Sequence, residues 1–418
     1  MSKERMILGK DAVFSTDTRE TGITNNVVVV GSSGAGKTDS VIVPKLLETT
    51  ESSIVCSVSK RRVVEQFIPV FKARGYNVID LNFAEPSKSN CCFDPIQFLT
   101  CTEDVAYLSS AIVMSDQRKN FSRADPFWDS TSINLLNAII CMTLATKDNA
   151  TMDDVLSNID KLHIRSGCNH IETTLDKYFN KIVEADPTGF CASNWSVLAE
   201  LESVKTASCI FSSLQTMLSN VFTTGLRKQI AKKPSIDIEK IGKEKTALFI
   251  TTSAMNPALS IFVNLFYGQL FRSLFETAMK SKSYRLPIHV SMLFDDFAVS
   301  GAVKDFPQYT SIIREANMDY CILLQSQGQL SRSYSEYGAE EILNNTDSFV
   351  FMGCNNYATA REVSLRADVP VETVLTLPIG KEIVFRRGSK AIWTQRYDTY
   401  KDEKYLALFG KGDTVNEK

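Results

Sequence analysis

The sequence predicts an α/β fold, a mostly parallel sheet interrupted by an inserted all-α domain, and three observations lead there. Short β-branched or apolar runs recur at spacings that leave room for crossover helices, the pattern of strands buried on both faces. A glycine-rich segment follows the first strong run directly. A long middle stretch, 125–240, carries helical periodicity and no strand-like run.

In order, the strand runs are 27–30, 53–57, 77–81, 247–252, 289–294, 320–325, 348–352 and 382–386. Within the middle stretch, Leu135, Leu136, Ile139, Ile140, Met142 and Leu144 form one apolar helical face. Phe179, Ile182 and Val183 form a second, and Leu198, Leu201, Val204, Ile210, Leu214 and Leu218 a third. The expected organisation is therefore 1–124 and 241–418 as two parts of one nucleotide-binding domain, with 125–240 inserted. The polar end, 410–418, is expected to fray.

Composition narrows the function classes. In 418 residues, 44% are hydrophobic, 22% are charged and only 12 are proline, which excludes a disordered or low-complexity chain. Lys and Arg number 46 against 48 Asp and Glu, a net charge of −2, so the chain does not coat duplex DNA with its whole surface. Any nucleic-acid contact has to be local, with Lys60-Arg61-Arg62 and Arg386-Arg387 as candidate patches against the plainer reading of solvated charge. The 10 cysteines are scattered with no CxxC pair, and the histidines are only His163, His170 and His289. A Cys/His metal site is not expected on that basis, and the thiols read as free in a reducing compartment. No apolar run reaches the ~20 residues of a membrane span, and no apolar stretch of signal-peptide type follows the N-terminus. The expectation is a soluble chain.

The strongest chemical signal is Gly31-Ser32-Ser33-Gly34-Ala35-Gly36-Lys37-Thr38, which fits GxxxxGK[ST] and sits between a strand and a helix candidate over 39–48. Glycines let the backbone curl so that its N–H groups face phosphates, and the helix start adds a positive dipole end. Lys37 is placed to bridge β- and γ-phosphates and Thr38 to ligate Mg²⁺. Such a loop needs an acidic partner at the end of a nearby strand, and the run 289–294 delivers Asp295-Asp296 there. Asp295 is the candidate Mg²⁺ holder and Asp296 the candidate for orienting or deprotonating the attacking water. Asp296 is one methylene shorter than the Glu common in such ATPases. At the end of the next strand, Gln325 is placed to sense the γ-phosphate or position water. Arg314, in the helix before that strand, is a candidate arginine finger for a neighbouring subunit's nucleotide, with a surface ion pair as the competing reading.

Taken together these residues resemble the TraG-like type IV coupling proteins of conjugation and type IV secretion, most of all versions from Gram-positive integrative elements. The resemblance covers nearly the whole chain. It is carried by Leu8-Gly9-Lys10, Thr18-Arg19-Glu20-Thr21-Gly22, the phosphate loop with Val43-Pro44-Lys45, Gly75-Tyr76-Asn77, Phe93-Asp94-Pro95, Asp125-Pro126-Phe127-Trp128, Arg285-Leu286-Pro287, Phe297-Ala298, Gln325-Ser326 and Asn344 with Asp347. It implies a RecA-like P-loop ATPase domain with the all-α insert, ATP and Mg²⁺ as cofactors, and a homohexamer. It further implies translocation of single-stranded, relaxase-linked DNA to a secretion channel, from the cytoplasmic face of the membrane. Lys37, Thr38, Asp295 and Gln325 match the family directly. Arg314 matches the first arginine of an Arg-x-Arg whose second position is Ala316 here. Where relatives carry Asp-Pro-Lys-Gly-Glu, this chain has Val58-Ser59-Lys60-Arg61-Arg62, and it lacks their N-terminal membrane helices. The alternative from another class is a nucleotide-gated substrate receptor or adaptor with weak or no ATPase activity, docking cargo on 125–240. A third reading, a secretion ATPase that powers channel assembly, is opposed by the matches at 125–128 and 325–330.

Overall fold

In chain order the strands are β1 (Arg5–Gly9), β2 (Ala12–Ser15), β3 (Val27–Val30), β4 (Ser53–Val58), β5 (Asn77–Asn82), β6 (Thr246–Thr251), β7 (Val290–Phe294), β8 (Met318–Leu324), β9 (Ser348–Phe351), β10 (Lys381–Arg386) and β11 (Ile392–Gln395). β1 and β2 form an antiparallel hairpin of their own. The others make a 9-stranded sheet in the order β11-β10-β9-β3-β8-β7-β4-β6-β5. Every neighbouring pair from β9 to β5 is parallel, and β10 and β11 close one side antiparallel. The computed structural model describes residues 4–59, 61–114, 126–163, 172–201, 203–252, 257–295, 297, 303 and 305–410.

The parallel strands are the apolar runs of the sequence, because burial on both faces makes an unpartnered polar side chain costly. All four valines of β3 are buried, as are all residues of β4, β6, β7 and β8. β8 starts two residues ahead of the expected 320–325 and so takes in Asp319, whose charge hid the strand's beginning. The hairpin β1–β2 and the four-residue β11 were not expected at all. They are short, and β11 alternates between buried and exposed residues without a continuous apolar run.

The helix after the glycine-rich segment opens as a π-helical turn, Thr38–Ile42, and continues as an α-helix, Val43–Glu48. The Val43 N–H bonds to the Thr38 carbonyl, five residues back. The wider turn lets Pro44, which has no N–H to give, follow without ending the helix.

Contacts divide the chain into two units. One is Met1–Ala84, Asp237–Ala254 and Leu270–Lys418, which holds the sheet; the other is Glu85–Ile236 with Met255–Gln269. The helical unit is thus wider than 125–240. Its chain ends meet at its base, where the Cys92 N–H donates to Pro234 O (3.0 Å) and the Ile236 N–H to Cys92 O (2.9 Å). Leu135, Leu136, Ile139, Ile140 and Met142 are buried on the helix Pro126–Thr146, whereas Leu144 is exposed. Phe179 and Trp195 stack with ring centroids 3.7 Å apart. The third apolar stripe belongs to two helices, Phe190–Ala199 and Val204–Val221, the second capped by the Ser203 hydroxyl accepting the Thr206 N–H. The cysteines among the described residues are free. No helix among these residues is long and apolar enough to cross a membrane.

Candidate active site

The glycine-rich loop leaves β3 at the C-terminal edge of the parallel strands, between the ends of β8 and β9. The Gly31 N–H donates to Leu324 O (3.1 Å) and the Ser32 N–H to Gly353 O (2.9 Å). Gly34 and Gly36 take positive φ of 76° and 81°, a region costly for any residue with a Cβ, and this lets the chain double back over Ser33. The Lys37 side chain is buried and returns across the loop, its ammonium donating to the carbonyls of Gly31 (2.7 Å) and Ser32 (3.1 Å).

Thr38, one residue on, reaches across to β7. Its hydroxyl donates to Asp295 Oδ2 at 2.9 Å. Asp295 is itself fixed, since its N–H donates to Ser57 O of β4 at 2.9 Å and its side chain is 3% exposed. A hydroxyl from the start of the helix and a carboxylate from the end of β7 are thereby brought to one point, one residue from a lysine. These hard oxygens suit Mg²⁺, which typically takes one or two protein oxygens and completes its shell with phosphates and water. No cluster of three or more His, Cys, Asp or Glu among the described residues offers a competing metal site.

The other expected residues fall in different places. Gln325 is exposed at the end of β8, and the register Val30↔Leu324 sets it beside Gly31. Arg314 precedes β8, so it lies at the opposite, N-terminal edge of the sheet from Lys37 and Thr38. It is exposed there, lining a cavity of about 600 Å³ with Arg285, His289 and Asp319. Asp296 lies outside the described residues, as does Lys60 of the first candidate basic patch. Of the remaining residues in those patches, Arg62 is exposed and three are engaged in the protein's own structure. Arg61 forms a bidentate pair with Asp80, Arg386 is buried with its guanidinium 4.1 Å from the Phe14 ring centre, and Arg387 pairs with Asp347 at 3.1 Å.

One residue at the loop was not foreseen. Arg396, just past β11, donates from Nη1 to the Ala35 carbonyl. Nothing local in the sequence signals it, because the contact joins positions 361 residues apart.

Comparisons with known proteins address the family and the fold. A family model for type IV secretory system conjugative DNA transfer matches residues 1–367. The bacterial conjugative coupling protein TrwB, solved with sulphate, superposes with a TM-score of 0.64 at 16% identity, covering 89% of this chain and 85% of that one. TrwB in complex with ADP and Mg²⁺ gives 0.63 at 16% identity over the same shares, 89% and 85%. VirB4 of Thermoanaerobacter pseudethanolicus gives 0.56 at 12% identity, covering 94% of this chain and 96% of that one. At these identities the likeness is one of fold. A sequence comparison with curated proteins finds no match.

Proposed function

Because the chain belongs to the type IV secretory conjugative DNA transfer family, we propose that it is a coupling ATPase that binds ATP with Mg²⁺ and couples hydrolysis to the passage of conjugative DNA towards a secretion channel. The observation that carries this reading is the Thr38–Asp295 hydrogen bond at 2.9 Å, which joins the loop to the acidic strand end. Nucleotide complexes of TrwB, one with ADP and Mg²⁺, lend it support.

In this reading the loop amides from Gly34 to Thr38 hold the phosphates, and Lys37 moves from the Gly31 and Ser32 carbonyls to the β- and γ-phosphate oxygens. Thr38 and Asp295 would hold Mg²⁺, which when bound would offset charge on the phosphates. Gln325 orients the attacking water or senses the γ-phosphate, and Asp296 accepts its proton. Arg314 belongs to the opposite edge of the sheet, so it serves a neighbouring subunit's nucleotide. Each site is therefore completed by a second copy, as in a closed ring, the homohexamer that the resemblance implies. Single-stranded DNA with its relaxase is the proposed cargo, delivered at the inner face of the membrane.

ATP turnover measured over a range of protein concentrations, with and without single-stranded DNA, tests the proposal. Turnover that rises with concentration and with DNA is the expected result. Tight ATP binding without turnover in any condition would replace the motor by a nucleotide-gated receptor.

A further inference from the structure

We propose that Arg396 is a positioning residue for the nucleotide, holding the phosphate loop in its phosphate-facing curl through the Ala35 carbonyl. The inference rests on the reading of this loop as an ATP site and adds a residue outside the glycine-rich segment, 361 positions away.

The peptide between Ala35 and Gly36 is planar and trans, so its C=O and N–H point in opposite directions. Fixing the Ala35 carbonyl on Arg396 therefore aims the Gly36 N–H the other way. That N–H is one of the loop's donors. The arginine is well placed for such a hold. Its own N–H donates to Gly380 O at 2.9 Å, which sets its backbone beside the start of β10. Its guanidinium occupies the space where a Cβ on Gly36 would fall. The glycine thus serves the arginine's approach as well as the positive φ.

The residues that follow repeat the hold further along the loop. The Thr399 hydroxyl donates to the Asp39 carbonyl, and the Tyr400 hydroxyl donates to Asp39 Oδ1 at 3.3 Å. Attachments at Ala35 and Asp39 bracket Lys37 and Thr38 on both sides. All of this lies beyond residue 367, where the family match stops.

The charge of Arg396 also remains available to an anion. The nearby carboxyl of Glu382 on β10 is 1% exposed, and neither of its oxygens has a hydrogen-bond partner among the described residues. Burial pushes that carboxyl up to about 8, with Arg396 acting against the rise. At neutral pH it is mostly protonated and does not neutralise the guanidinium.

The test is equilibrium titration of the full chain with ATP and Mg²⁺, comparing wild type, Arg396→Ala, Arg396→Lys and Lys37→Ala, with melting midpoints taken without nucleotide. Loss of one charge-assisted hydrogen bond predicts about tenfold weaker ATP binding in Arg396→Ala. The melting midpoint should stay within the error of wild type, and in turnover the larger part of the loss should fall on KM rather than kcat. Wild-type affinity in a folded Arg396→Ala overturns the proposal. If Arg396→Ala lowers the melting midpoint, Arg396→Lys decides, because it keeps charge but has no planar fork. Weaker binding at an unshifted midpoint supports the proposal, and wild-type affinity overturns it. If Lys37→Ala also binds ATP like wild type, the ATP site itself is wrong and this inference goes with it. If Lys37→Ala loses binding while the Arg396 variants keep it, only the role of Arg396 fails.

Discussion

At the C-terminal edge of the sheet the buried carboxyl of Glu382 has no hydrogen-bond partner among the described residues, while at the N-terminal edge Asp319 is held on every side. The His289 ring meets Asp319 Oδ2 at 2.8 Å, and the Ser291 hydroxyl donates to Oδ1. Burial alone would raise the Asp319 carboxyl. The charges of Lys45 and His289 and the hydrogen bonds from His289 and Ser291 outweigh it and hold the carboxyl below its usual range. One edge keeps Lys37 on backbone carbonyls, where an arriving polyanion can claim it, and holds the loop through Arg396 on the Ala35 carbonyl. The other ties its buried charges to each other and leaves Arg314 exposed. In the proposed reading, a single sheet thus separates ligand binding from the arginine offered to a neighbour.

The comparison is broken most sharply by variants that should act on one edge only. Lys37→Ala should lower ATP turnover by at least about 100-fold and abolish tight ATP binding, since the loop loses its phosphate cation. Arg314→Ala should lower turnover by about 10³-fold, the scale of an arginine finger, while ATP affinity stays near wild type. An equal loss of affinity would put Arg314 on the binding edge and erase the distinction.

Smaller effects concern stability. His289→Ala leaves the buried Asp319 carboxylate short of a partner and should cost about 2 kcal/mol in urea unfolding at pH 7. A carboxyl held low in the folded state adds stability that is present above the unfolded value near pH 4 and is lost as pH falls through the folded value. The deficit of His289→Ala should therefore shrink in acid. Glu382 carries the opposite sign. Its folded carboxyl, pushed up to about 8 by burial, binds a proton that the unfolded chain has released above about pH 4.3, so stability falls as pH rises through that window. Glu382→Gln should therefore raise the melting midpoint relative to wild type at pH 9, by the equivalent of about 1–3 kcal/mol, and change it little at pH 4. A variant that is equally stable or less stable at pH 9 would mean that Glu382 is not held neutral.

The sequence made one edge far more legible than the other. Gly31–Thr38, Asp295 and Gln325 each belong to a short local pattern, a loop or a strand end, and such patterns survive without knowledge of the sheet. Strand order then brings them together. Arg396 meets the loop, and Glu382 comes near Arg396, only through β10 and β11, antiparallel strands at the far end of the chain, and long-range pairing of that kind leaves no spacing to read. Asp319 was hidden for a related reason, since a charge at the start of β8 looks like a loop until His289 is placed against it. The width of the helical unit escaped because the helix Pro257–Lys280 is shared between the two units with no change of composition at Gln269–Leu270.

The central claim, that the two edges carry two halves of one ATP site, is tested most directly by mixing two inactive variants. Arg314→Ala keeps Lys37, and Lys37→Ala keeps Arg314, so a ring assembled from both contains competent pairings. The account predicts turnover well above the sum of the separate variants, approaching about one quarter of wild type in a random equal mixture. A mixture no more active than that sum would contradict it.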